Sequence, residues 1–155
     1  MITKSAVDLI KSFESCKLKA YECATSLAIT TKSKKFFTIG WGNTYYENGN
    51  KIKQKDVITQ QRADELFEFV LNEFEQDVKK LIHVDLNANQ LGALVSFAYN
   101  TGMGNFGSST LLKKVNAKDF AGAHNEFGKW VKGGGKVLNG LVTRRKREAA
   151  LFMAA

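Results

Sequence analysis

Thr59-Gln60-Gln61-Arg62-Ala63-Asp64-Glu65-Leu66-Phe67-Glu68-Phe69-Val70-Leu71-Asn72-Glu73-Phe74-Glu75-Gln76-Asp77-Val78-Lys79-Lys80-Leu81-Ile82 separates two parts of the chain that differ in texture. Ala63, Leu66, Phe67, Val70, Leu71, Phe74, Val78, Leu81 and Ile82 recur at three- and four-residue spacing. This spacing predicts one long amphipathic helix with Thr59 as its N-cap. At 1.5 Å per residue, a helix over 59–82 is about 35 Å long, enough to connect two lobes.

On the N-terminal side, residues 3–13 place Ala6, Val7, Leu9, Ile10 and Phe13 on one face, against Lys4, Asp8, Lys11 and Ser12. A short first helix ending before Glu14 is predicted. From Tyr21 to Ile52 the chain turns to Thr, Ile, Phe, Trp and Tyr, broken by Gly40, Gly42 and Glu47-Asn48-Gly49-Asn50. Asn48-Gly49 is a strong hairpin signal, so a small antiparallel β lobe is expected over about 18–57. On the C-terminal side, Asp85-Leu86-Asn87 reads as a cap for the apolar run Leu91–Tyr99. Helix-like segments then alternate with glycine breaks: 100–107, Ser109 to Val115, Asp119 to Trp130, a flexible Gly133-Gly134-Gly135 and a basic helix from Asn139 to Phe152. The expected fold is α+β, a single domain over 1–155. In it a small N-terminal β lobe and a larger helical lobe over about 83–155 flank a cleft.

A length of 155 residues with 44% hydrophobic content suits one domain with a real core. The formal net charge of +8 attracts polyanions, among them nucleic acid, anionic lipid and bacterial wall polymers. No RNA-binding motif, zinc finger or heptad repeat accompanies the charge. The basic residues are dispersed apart from Lys32-Ser33-Lys34-Lys35 and Arg144-Arg145-Lys146-Arg147, so nucleic acid is not an expected partner. Cys16 and Cys23 are too few for a disulfide scaffold and lack zinc-ligand spacing; reduced thiols and no metal are expected. Lys4, Asp8 and Lys11 punctuate the opening residues, which therefore read as neither signal peptide nor membrane span, and a cytoplasmic location is expected.

Glycosidic hydrolysis needs a carboxylic acid to protonate the leaving oxygen and a second group that acts at the anomeric carbon. Glu14 is a candidate for the first. Beside cleft aromatics such as Phe13 or Phe106, a carboxyl loses hydration and holds its proton more tightly. The surrounding residues say more: Phe13-Glu14-x-Cys16-x-Leu18-x-Ala20-Tyr21-x-Cys23, followed by Thr38-Ile39-Gly40-Trp41-Gly42-Asn43-Thr44. This pattern resembles the phage endolysin family of lysozymes, glycoside hydrolase family 24. In that family a glutamate ends the first helix, and a Tyr-x-Asp/Cys element and a Thr-x-Gly-x-Gly-x-Thr hairpin follow. Gln90-Leu91-x-Ala93-Leu94-Val95-Ser96-Phe97-Ala98-Tyr99-Asn100-x-Gly102, Ser109-Thr110-Leu111-Leu112-Lys113-Lys114-x-Asn116, Phe127-x-x-Trp130 and Gly140-Leu141-Val142-x-Arg144-Arg145-x-x-Glu148 also look like that family, in its order.

The resemblance implies a lysozyme-like fold without cofactor, Glu14 as general acid, Cys23 as second catalytic group and Thr38 as third. The eight residues between Glu14 and Cys23 fit the family, whereas the fourteen between Cys23 and Thr38 exceed its interval. An inserted polar, basic loop over Ala28–Lys35 is therefore expected, with Thr30 and Thr31 competing for the role of Thr38. Cys23 stands where aspartate is commoner; only its thiolate acts well as nucleophile or base, a form that charge from Lys32–Lys35 would favour, and the alternative is a structural thiol. Thr38 offers a hydroxyl to orient water or sugar, or is simply a β-branched strand residue. Trp41 is a sugar-stacking platform or a lobe-core aromatic. Asn100 and Arg144 resemble substrate-binding positions lining the cleft. Arg144 would pair with Glu14 or hold it, with Arg145 as competitor and a solvated helix face as the bland alternative.

A thiol hydrolase would pair Cys23 with His83 or His124, yet no cysteine-protease signature surrounds Cys23, and both histidines read as parts of helical segments. A basic wall- or membrane-disrupting protein would lay Leu138–Phe152, carrying Arg144, Arg145, Lys146 and Arg147, on anionic surfaces. The expected function is that of an endolysin hydrolysing the β-1,4 bond between N-acetylmuramic acid and N-acetylglucosamine in bacterial peptidoglycan and lysing the host. A lytic transglycosylase is the nearest chemical alternative. The expected protein is a monomer with no stable membrane association, held in the host cytoplasm until a holin opens the membrane.

Overall fold

The long helix forms as α2, Gln60–Leu81, and Thr59 Oγ1 accepts the Arg62 N–H at 3.1 Å, as a cap should. Ala63, Leu66, Phe67, Leu71 and Val78 on its apolar stripe are buried. A computed structural model describes residues 2–23 and 36–154. It divides within α2 into two compact units, Glu14–Val70 and Met1–Phe13 with Leu71–Ala155.

In the first unit, β1 (Lys17–Cys23) pairs antiparallel with β2 (Phe36–Gly40), with Tyr21 opposite Thr38 and Cys23 opposite Phe36. The loop expected over Ala28–Lys35, with Thr30 and Thr31, lies outside the described residues. The Asn48-Gly49 turn forms: the Gly49 N–H donates to the Tyr46 carbonyl at 3.0 Å, and Tyr45 bridges Lys51 across the turn. Ile39, Ile52 and Leu66 make the core, flanked by Ala20, Phe37, Tyr46 and Ile58.

Two carboxylates fasten this unit's surface. The Arg62 guanidinium donates to both oxygens of Glu47 at 2.6 Å, and that charge-assisted bond holds the Glu47 carboxyl below its usual range. Asp56 accepts from the Lys53 N–H at 2.9 Å and from the Tyr46 hydroxyl at 2.8 Å. These bonds lower Asp56, while burial and the Asp56 hydrogen bond push Tyr46 up to about 12. A carboxyl depressed in the folded state contributes stability above its unfolded pKa and loses it as pH falls through the folded value. Thermal stability should therefore drop as pH falls below about 4, and Glu47→Gln should flatten that drop. Parallel melting curves for Glu47→Gln and wild type across pH 3 to 7 would contradict this.

In the second unit, α1 (Lys4–Phe13) packs through Ala6 and Ile10, both fully buried, on α3 (Ala88–Thr101). Every residue of α3 from Leu91 to Ala98 is buried, as expected of a central helix that is apolar all round. The expected cap is a capping box: Asn87 accepts the Gln90 N–H at 2.7 Å and donates its own to Gln90 Oε1 at 2.9 Å. Around α3 lie α4 (Met103–Ser108), α5 (Thr110–Asn116), α6 (Phe120–Phe127) and α7 (Asn139–Met153). The Phe97 ring meets Phe106, Phe127 and Trp130 edge-on at 6.3, 5.8 and 5.4 Å, a favoured aromatic geometry. Phe106, expected as a cleft wall, is thus a core residue with 0% exposure.

Gly92 shows how closely α1 rests on α3, because a Cβ built there would lie 2.5 Å from the Ala6 Cβ. Gly92→Ala is expected to cost about 1–3 kcal/mol, seen as a lower denaturation midpoint at unchanged slope. A wild-type midpoint would contradict this packing.

Three readings are corrected. The stretch Gly133-Gly134-Gly135 is not a loose linker. β3 (Lys132–Gly133) and β4 (Lys136–Val137) pair antiparallel about Gly134 and Gly135, whose φ values of 59° and 81° are those a type I′ turn demands. The helix begun at Asp119 ends at Phe127, short of Trp130. The basic face that a surface-disrupting protein would use is not intact either: Arg144 and Arg145 are 3% and 1% exposed, leaving only Lys146 and Arg147 of that cluster at the surface.

Candidate active site

Glu14 directly follows α1 and is half-buried. The chain then enters β1 past Cys16, whose sulfur accepts from Gln60 Nε2 at 3.7 Å. Strand alternation governs the next two candidates. Tyr21 and Cys23 occupy positions of the same parity in β1, and their partners Thr38 and Phe36 do so in β2. Cys23 and Thr38 are therefore diagonal positions of adjacent strands, a separation of about 7–8 Å in regular sheet. Thr38 is 5% exposed.

Trp41 follows β2 in a tight loop closed by paired backbone bonds between Ile39 and Asn43, both 2.9 Å. Its indole N–H donates to Asp64 at 2.9 Å, and its ring lies 5.6 Å from that of Phe67. Both partners belong to α2, so Trp41 is a packed aromatic that keeps part of its surface open.

The other two candidates, Asn100 and Arg144, fall in the second unit and share a network that charge counting did not reveal. Glu148, with 0% exposure, accepts from the Ser96 hydroxyl, from Arg144 Nε at 3.3 Å and from Arg145 Nη1. Arg144 Nη2 also donates to the Ser96 carbonyl at 3.1 Å. Arg145 Nε donates to the Trp130 carbonyl at 3.0 Å, and its Nη2 donates to Asn100 Oδ1. Burial pulls the Arg145 guanidinium below its ordinary value, and Glu148 opposes the shift. The Arg144 and Arg147 guanidinium carbons stand 5.5 and 5.3 Å from the Phe13 ring centre, so the residue before Glu14 is gripped by two cations.

Ser96, Glu148 and Asp64 were not among the expected site residues. The signal for Glu148 was its spacing, four residues after Arg144 and three after Arg145, which puts opposite charges on one helix face. His83 is exposed and its backbone N–H donates to Asn116; His124 lies in α6, beside Asn125. Among the described residues no group of three or more His, Cys, Asp or Glu could hold a metal ion.

The profile of the phage lysozyme family matches residues 11–148. The chain is 45% identical over 152 residues to the endolysin of Bacillus phage B103, covering 98% of this chain and 54% of that protein. This chain thus spans about half the length of that relative. It is 37% identical to the endolysin of Acyrthosiphon pisum secondary endosymbiont phage 1, over 99% of both chains. Among solved structures, the muramidase domain of SpmX from Asticaccaulis excentricus superposes with a TM-score of 0.82 at 30% identity, covering 100% of this chain and 99% of that one. The α+β fold is accordingly lysozyme-like, and the chain belongs to the phage lysozyme family.

Proposed function

We propose that the chain is a phage endolysin acting as a muramidase on the β-1,4 bond between N-acetylmuramic acid and N-acetylglucosamine in bacterial peptidoglycan. In this reading Glu14 protonates the glycosidic oxygen. Cys23, as thiolate, attacks the anomeric carbon or activates the water that does, and the Thr38 hydroxyl orients that water or the sugar. Trp41 offers its open surface to a sugar ring, and Asn100 and Arg144 bind substrate. The protein works as a monomer and reaches the wall when a holin opens the host membrane. The observation that supports the chemistry best is that Glu14, Cys23 and Thr38 fall within one compact unit, the last two on adjacent paired strands. Among the described residues no helix is long and apolar enough to cross a membrane.

Incubation with purified peptidoglycan and, separately, with dye-loaded anionic vesicles tests the reading against surface disruption. Soluble muropeptides without vesicle leakage are expected. Leakage without muropeptide release would replace the enzyme with a membrane-active protein. The burial of Arg144 and Arg145 already weakens that alternative, because it removes two charges from the face such a helix would use.

A further inference from the structure

The contact between Arg145 and Asn100 fixes something that neither residue fixes alone. Arg145 is 1% exposed and held by Trp130, Glu148 and Asn100. A guanidinium carries only donors, so the end of the Asn100 amide that meets it is the oxygen; a flipped amide would set N–H against N–H. Asn100 is itself exposed, and its Nδ2 has no hydrogen-bond partner among the described residues. Nearby acceptors are engaged: the Phe97 carbonyl accepts from the Thr101 hydroxyl at 2.9 Å, and the Thr101 carbonyl accepts from Asn105 Nδ2 at 2.7 Å. The end of α3 therefore presents Asn100 as a donor of fixed orientation.

We propose that Asn100 is a specificity-determining donor for the acetamido carbonyl of a peptidoglycan sugar, and that Arg145 is the positioning residue that fixes its amide. This rests on the muramidase reading. Sugar hydroxyls both donate and accept and would satisfy the amide in either orientation. An acetamido carbonyl only accepts, so it is the group for which a fixed orientation matters.

The test compares kcat and KM on soluble peptidoglycan fragments with those on the same fragments after partial de-N-acetylation. Asn100→Asp keeps an oxygen on Arg145 but turns the donor into an acceptor. Its melting temperature should hold or rise, while kcat/KM on acetylated fragments falls about tenfold, mainly through KM. On de-N-acetylated fragments the loss should shrink to within about twofold. Asn100→Ala gives the same comparison if the aspartate variant fails to fold. Arg145→Lys, which keeps a positive charge beside Glu148 but not the fork, should raise KM on acetylated fragments alone with kcat held. Wild-type KM in the Asn100 variants, or equal losses on both substrates, overturns the donor role. A lower melting temperature with unchanged KM in Arg145→Lys overturns its positioning role. Failure of the wild-type protein to cleave either substrate is a separate result, and it overturns the muramidase reading together with this inference.

Discussion

Glu148→Ala is expected to lower the melting temperature by roughly 10 °C, a loss of about 3–5 kcal/mol. The cause is what the substitution leaves behind. Two guanidinium groups, on residues 3% and 1% exposed, would remain in the interior without the carboxylate that both address, and the Ser96 hydroxyl would lose its acceptor. Such groups cannot shed their charge near neutral pH, and the neutral acceptors that remain, the Ser96 and Trp130 carbonyls and Asn100 Oδ1, do not replace the carboxylate's charge. Glu148→Gln should recover only part of the loss, because its amide nitrogen would face donors. The surface pair Lys4–Asp8 is a useful contrast: its side chains are 91% and 59% exposed at 3.4 Å, and Asp8→Ala should leave the melting temperature nearly unchanged. A Glu148→Ala protein that melts with wild type would mean that the network is hydrated.

Glu14→Gln is expected to reduce peptidoglycan cleavage by about 10²- to 10⁴-fold, the usual contribution of a positioned general acid. The amide preserves size and polarity at the half-buried end of α1, so folding stability should change by no more than about 1 kcal/mol. That asymmetry separates the two acids: Glu148 should govern stability and Glu14 should govern rate. A Glu14→Gln protein with wild-type turnover would remove the proton donor from the proposed chemistry, whereas a collapse in melting temperature would recast Glu14 as structural.

Elements with a long period or a local chemical signature were legible in the sequence. The apolar spacing of 59–82 locates α2 to within a residue at each end, and Asn87 and Thr59 cap their helices through side chains whose function is local. The β3–β4 hairpin was missed because two-residue strands carry no alternation to read. For the run Arg144-Arg145-Lys146-Arg147 a solvated face stayed open as an alternative, because burial of charge depends on a partner. The partners, Ser96 and Asn100, are 48 and 45 residues away in sequence. For Trp41 the two open readings narrow on Asp64 and Phe67, a contact set by tertiary packing rather than by the glycines around it. The diagonal relation of Cys23 and Thr38 needed the register of β1 with β2, which the intervening residues hide from any count of spacing.

The most direct test of Glu14 and Cys23 as a hydrolytic pair is mass spectrometry of peptidoglycan digested by wild-type protein and by folded Glu14→Gln and Cys23→Ser variants. Fragments ending in reducing muramic acid from the wild type, absent with both variants, are the predicted result. Fragments ending in 1,6-anhydromuramic acid, or wild-type products from either variant, would contradict it.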